Sequence, residues 1–248
     1  TSKTSIVLVQ AASLNDTLEV IAYDIATISD TVSKADGGTF EANVTFAAGA
    51  DIITATAGTD NVRLGENAGD SITSGGTNNV TIGKDAGTAI TTGDNNTFIG
   101  YASGDALTTS SDNTAVGKSS MSAMTTGGSN TAVGLSALSD DTQGSKSTGV
   151  GYQALSTQNF TSATDSHNTA VGYNAGSLIS TGTESTLVGS LAGDALTTAI
   201  RSVAVGKSAL TSTTTGNENV AVGTFALNTN TTGASNVAMG EEAMYSNT

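Results

Sequence analysis

Asn113-Thr114-Ala115-Val116-Gly117 returns as Asn130-Thr131-Ala132-Val133-Gly134 and again as Asn168-Thr169-Ala170-Val171-Gly172, with variants at Asn219–Gly223 and Asn236–Gly240. Aligning on the closing glycine gives Gly65, Gly83, Gly100, Gly117, Gly134, Gly151, Gly172, Gly189, Gly206, Gly223 and Gly240. The spacings are 18, 17, 17, 17, 17, 21, 17, 17, 17 and 17. A fixed period over eleven copies outranks local propensity as evidence of architecture. Helical repeats need about 33 residues or more per unit, so 17 is too short for them. It suffices for two short strands and two turns, one coil of a parallel β-solenoid. Stacked coils rise about 4.8 Å each, so ten steps span roughly 48 Å.

Each column of the repeat carries a physical meaning. One residue before the glycine, the eight central copies hold Ile99, Val116, Val133, Val150, Val171, Val188, Val205 and Val222, flanked by Leu64, Ile82 and Met239. No polar residue interrupts this column, which is expected to be the solenoid core. Three residues before the glycine stands Val or Thr in every copy. β-Branched residues two apart share a strand face. Three residues after it only Ala or Ser occurs, which indicates a close backbone approach. Where the fourth residue is Gly (Gly69, Gly87, Gly104, Gly176, Gly193), the seventh is Ile or Leu; where the fourth is Leu or Met, as at Leu138, Leu155 and Leu210, the seventh is polar. One large apolar group is therefore expected to fill one space by either route, with Met121 and Met124 supplying both. Fixed columns of about one Val, one small residue and one Leu or Ile per coil make a thin core. Side-by-side packing of three chains, a homotrimer, is the expected remedy.

Composition narrows the function. The chain has 248 residues, 8 Lys plus Arg against 22 Asp plus Glu, net charge −14, and neither Cys nor Pro. Such acidity argues against a nucleic-acid surface, and the missing cysteines exclude disulfides and thiolate metal sites. No apolar run approaches the 18 residues or so of a membrane span. The chain opens at Thr1 and stops inside the repeating pattern, so it reads as a segment of a larger protein. Residues 1–36 have apolar, β-rich runs at Ile6–Val9 and Leu18–Tyr23 and are expected to form a small β module. Residues 37–59 are expected to be junction strands, and 60–248 the all-β solenoid shaft of eleven repeats.

The Asn-Thr-Ala-Val-Gly-x-x-Ala-Leu repeats resemble those of phage tail-fibre shafts and of the heads of trimeric autotransporter adhesins. The stretch Gly37-Gly38-Thr39-Phe40-Glu41-Ala42-Asn43-Val44-Thr45-Phe46 resembles a junction of phage tail fibres, with Ala42 where a glycine is usual. Asn15–Asp24 resembles a β module of phage structural proteins. The resemblance implies a non-enzymatic, homotrimeric fibre on the virion tail, of podovirus type, whose N-terminal module attaches to tail proteins and whose shaft serves adhesion to a host surface glycan or protein. The alternative it leaves is a bacterial adhesin head on the cell surface.

Candidate sites are few. His167 is the single histidine, so a Ser-His-Asp triad must use it, and its place in the one lengthened repeat favours a surface loop. That loop also holds Phe160 among amides and hydroxyls, and Phe160 and His167 are the candidate residues for contact with a host glycan, with packing against a neighbouring chain as the competing account. Asp140-Asp141 and Glu241-Glu242 read as solvated turn charges. The pairs Thr91-Thr92, Thr108-Thr109, Thr125-Thr126 and Thr197-Thr198 form a ladder, which gives a third reading as an ice-binding surface. The Asn column (Asn96, Asn113, Asn130, Asn168, Asn219, Asn236) is expected to hydrogen-bond between coils. No cofactor or metal is called for.

Overall fold

A computed structural model describes residues 58–247. The expectations for residues 1–36, and for the junction up to residue 57, lie outside the described residues. Every repeat contributes one three-residue strand: β1 Val62–Leu64, β2 Val80–Ile82, β3 Thr97–Ile99, β4 Thr114–Val116, β5 Thr131–Val133, β7 Thr148–Val150, β9 Thr169–Val171, β10 Thr186–Val188, β11 Val203–Val205, β12 Val220–Val222 and β13 Val237–Met239. Two-residue strands β6 Gly144–Ser145 and β8 Thr164–Asp165 pair at the lengthened repeat. The eleven long strands form one parallel sheet in chain order, the expected β-solenoid. Register places each residue beside its equivalent, as in Thr114↔Thr131, Ala115↔Ala132 and Val116↔Val133. Across the lengthened repeat the pairing Thr148↔Thr169 keeps the same register. The four extra residues are therefore absorbed outside the main sheet.

Among the described residues, the second strand expected in every coil forms only as the β6–β8 pair, with a single bridge between Thr59 and Thr77. Three residues per coil that are not the repeat glycine take left-handed backbone angles, which interrupts extended pairing on that side. They stand two after the glycine, as at Ala102 (φ 49°) and Leu191 (φ 58°), four after it, and five before it, as at Asn95 (φ 57°) and Asp112 (φ 65°). Asn and Asp tolerate this region best among residues with a Cβ. The repeat glycine is left-handed as well: Gly117 has φ 134°. A Cβ there would lie 2.5 Å from the Gly134 carbonyl oxygen of the next coil. This glycine therefore serves both the turn and the coil-to-coil approach.

Strand polarity corrects the core assignment. The middle residue of each strand points inward: Phe98, Ala115, Ala132, Ala170, Leu187, Ala204 and Ala221 are buried. The flanking column points outward from its own coil. Ile99, Val133, Val171, Val188 and Val205 are 36–38% exposed, and Val116, Val150 and Val222 are half-buried. The spacing places the first and third residues on one face, as expected, but that face is not the inner one. The inward residue shares its space with the groups four and seven residues after the glycine: where it is large, as at Phe98 and Leu187, the fourth position is glycine, Gly104 and Gly193.

Those groups share one space, as their exchange in sequence suggested. Ile72, Ile90, Leu107, Ile179 and Leu196 are buried from the seventh position; Leu138, Leu155, Leu210 and Leu227 are buried from the fourth, and Met121 and Met124 from both. A Cβ on Gly87 would fall 2.7 Å from Ile90 Cδ1. Leu138 occupies the equivalent place at φ 51°, a left-handed backbone costing about 1–2 kcal/mol that its burial offsets. Inward strand residues adjust too. A Cβ on Gly104 would meet the Phe98 ring at 2.6 Å, so the large Phe98 requires that glycine.

Leu107→Ala and Leu138→Ala should each lower stability by about 2–5 kcal/mol in denaturant unfolding, since each is the one large filler of its coil at these positions. Met124→Ala should cost clearly less, with Met121 left to occupy part of the gap. Equal losses at all three positions would show that the two routes do not converge.

Candidate functional site

Four features carry the chemistry of the shaft: an inner asparagine ladder, a polar node at the lengthened repeat, a threonine edge and an outward apolar face. The ladder places one rung in a coil, with serine standing in its place at Ser147, Ser185 and Ser202. Asn96 Oδ1 accepts from the Asn113 backbone N–H at 3.0 Å and from Asn113 Nδ2 at 3.2 Å. Asn113 Nδ2 also donates across its own coil to the Gly127 carbonyl at 3.1 Å. Asn79, Asn130 and Asn219 donate in the same way to the carbonyls of Gly93, Gly144 and Gly233. A buried amide with its donors and acceptor satisfied replaces water without an orphaned group. The column is structural, and its length and fork are what cross the coil.

Ser147 breaks this ladder at the lengthened repeat, because a serine is too short to cross. Gln158 takes over the missing function. Its Oε1 accepts from Asn168 Nδ2 at 2.8 Å, and its Nε2 donates to Asp141 Oδ2 at 2.6 Å and to Ser147 Oγ at 3.0 Å. Asp141 Oδ1 also accepts from the Gly144 N–H at 2.9 Å and the Phe160 N–H at 3.2 Å. Asp141 is fully buried. The reading of Asp140-Asp141 as a solvated pair therefore holds for exposed Asp140 only, and three N–H donors make the burial of Asp141 tolerable. Glu241 and Glu242 are exposed. Sequence reasoning missed this node, although the polar residue at the seventh position of the Leu-type coils marks its place.

Phe160 is 6% exposed. It is packed within its own chain beside the node, so a sugar has no open ring face to stack on there, and the glycan contact expected at Phe160 is withdrawn. His167 is exposed with φ 51°, beside Asp165. Lys146 lies 2.6 Å from Asp165 and holds that carboxyl below its ordinary range. Among the described residues no group of three His, Asp or Glu side chains gathers where a metal would sit.

The threonine pairs divide their labour. Thr91, Thr108, Thr125 and Thr197 donate their hydroxyls to the carbonyls of Thr108, Thr125, Thr142 and Thr214 in the next coil, at 2.9–3.3 Å. Only the second threonine of each pair, Thr92, Thr109, Thr126 and Thr198, is exposed.

The outward face carries most of the exposed large apolar side chains among the described residues. Among the described residues, twelve of the fifteen exposed large hydrophobic residues stand three before, one before or one after a repeat glycine, Leu178, Met244 and Tyr245 being the exceptions. Tyr152 and Tyr173, one coil apart, stack with ring centroids 5.2 Å apart. Lys118 lies over the Tyr101 ring at 5.9 Å. Across the eight coils from Asn96 to Leu227, the nine residues centred on each repeat glycine include no Asp or Glu. All eight acidic residues of that span lie on the remaining part of the coil. Within this span the acidic residues are thus segregated away from the apolar face.

Comparison with known protein families, with curated proteins and with solved structures finds no match to this chain.

Asp141→Ala strands three N–H donors inside the coil and should lower stability by about 2 kcal/mol or more. Asp140→Ala should change it by less than about 0.5 kcal/mol. Chemical denaturation of both variants checks the contrast, and similar losses would mean that the node is not closed to water.

Proposed function

We propose that this chain is a non-enzymatic segment of a virion tail fibre, assembled as a homotrimer, whose shaft holds an attachment function away from the particle. One observation supports assembly above the others, the apolar columns that run along the outside of the sheet. A monomer in water rarely leaves a contiguous apolar patch of more than about 300–600 Å². Ile99, Val133, Val171, Val188 and Val205 repeat this exposure coil after coil on one strand face. Copies of the same chain are the natural occupant, because the absence of carboxylates beside these columns from Asn96 to Leu227 reduces like-charge repulsion where chains of net charge −14 would meet. The column expected to fill the solenoid core would then be core after all, between chains instead of within one. Residues 1–36 are the proposed attachment to tail proteins, and a host surface glycan or protein is the proposed target. The virion tail is the proposed location, resting on the resemblance of Gly37–Phe46 and of the repeats to fibre proteins.

Sedimentation should give about three times 24.3 kDa for the assembled chain. Val171→Asp together with Val188→Asp should yield monomers that keep the β-sheet circular dichroism, since neither side chain points into its own coil. A folded wild-type monomer sinks the assembly, and antibodies against the solenoid that fail to label virion tails sink the fibre.

A further inference from the structure

The fifth residue after each repeat glycine forms a column that supplies hydrogen-bond donors. Thr88, Thr211 and Asn228 donate one coil back, to the carbonyl oxygens of Asn67, Leu191 and Ser208 at 3.1–3.4 Å. Ser122 and Ser139 donate forward to the carbonyls of Ser139 and Ser156. Asp105 and Asp194 stand in this same column, within the twin stretches Gly104-Asp105-Ala106-Leu107-Thr108-Thr109 and Gly193-Asp194-Ala195-Leu196-Thr197-Thr198. An ionised carboxylate only accepts. The Oδ1 atom of each is enclosed and has no hydrogen-bond partner, and Asn174 Oδ1 is in the same condition. A third aspartate of the column, Asp70, lies 3.2 Å from the Arg63 guanidinium. Among the described residues neither Asp105 nor Asp194 has an ion pair of that kind.

We propose that Asp105 and Asp194 are two proton-operated latches between coils. Protonated, each carboxyl donates one coil back to the carbonyl of Asp85 or Asn174, the bond that Thr211 makes to Leu191. Ionised, each sets an acceptor against an acceptor and loosens the joint. Burial raises the pKa of both groups above the ordinary 3.8, with repulsion from Asp85 adding to it at Asp105. Nearby backbone N–H groups, and the Thr211 hydroxyl at Asp194, oppose the shift in part. The neighbours on the adjoining coils are Thr88, Asp85 and Ser122 for Asp105, and Ser177, Asn174 and Thr211 for Asp194. Of these six only Asp85 ionises. The unfolded carboxyls titrate near their ordinary value and the folded ones above it, so the folded chain binds more protons in between. The latch contribution is therefore complete below the ordinary value and lost as pH rises through the raised one, opposite to a salt-bridged aspartate.

Melting temperature of the full chain, followed from about pH 3 to pH 8, tests this. Asp105→Thr with Asp194→Thr, which installs the donor present at Thr88 and Thr211, should melt higher than wild type at neutral pH, and the gap should close on acidification. Asp112→Asn, at an exposed aspartate, should show no such pH-dependent gap, which separates the latch from a general loss of negative charge. A gap independent of pH, a double variant less stable at neutral pH, or an equal effect from Asp112→Asn overturns the proposal. So does calcium ion that raises the wild-type melting temperature at neutral pH but not that of the double variant, because the sites would then hold a cation in place of a proton.

Discussion

The hydrogen bond from one coil to the next, repeated at identical register, is the constraint on which everything else rests. Thr114 N–H reaches the Asn130 carbonyl, and Gly134 N–H returns to the Val116 carbonyl. Because the strands are parallel and the offset constant, each residue lies beside its own equivalent. A property of one position therefore becomes a property of a line running along the molecule. Asparagine on asparagine forms a ladder, threonine hydroxyl on carbonyl forms a seam, and valine beside valine forms an outward apolar stripe. The same rule penalises ionised groups stacked on themselves. Salt bridges from one coil to the next, Lys84 with Glu66 at 2.7 Å and Arg201 with Glu218, show signs alternating where charges do stack.

Within one coil the limiting quantity is volume. The interior is bounded by a three-residue strand on one side and left-handed turns on the other, so each coil has a limited apolar volume, filled by one large group or by two, as with Phe98 and Leu107. Several positions compete to fill it, and enlargement at one is matched by glycine at another, as with Phe98 and Gly104. The lengthened repeat departs from this economy. It adds to the apolar fillers Leu138 and Leu155 a closed polar node of Asp141, Gln158, Ser147 and Asn168, and packs Phe160 beside it. Cores tolerate such a network only when each member is satisfied, and the Asp141 carboxylate meets this with three donors. The loop is consequently a continuation of the inter-coil bonding around an insertion, and its aromatic residue belongs to the interior.

Much of this was legible in the sequence for a simple reason. Parallel stacking demands equal path length per coil, so a constant spacing between repeat glycines identifies the solenoid, and the single spacing of 21 identifies the loop. The exchange between Leu138-type and Leu107-type fillers was legible as well, since conserving volume leaves a trace in composition at two positions. The Asn column was readable because an amide that stacks on itself satisfies both its donor and its acceptor.

What the tertiary structure alone decided is which side of each strand is inside. Thr114-Ala115-Val116 has a period of two, and a period of two assigns residues to two faces without ranking them. Hydrophobicity favours the valine for the interior, whereas the space left behind the strand admits the alanine. That space is set by groups four and seven residues further on, across a turn whose left-handed angles no residue type announces. Burial of Asp141 and Phe160 was hidden for the same reason: each depends on donors and walls contributed by neighbouring coils. Period and composition determined the architecture because stacking repeats them along the chain. Facing and burial depend on volumes that meet only after the coils have closed.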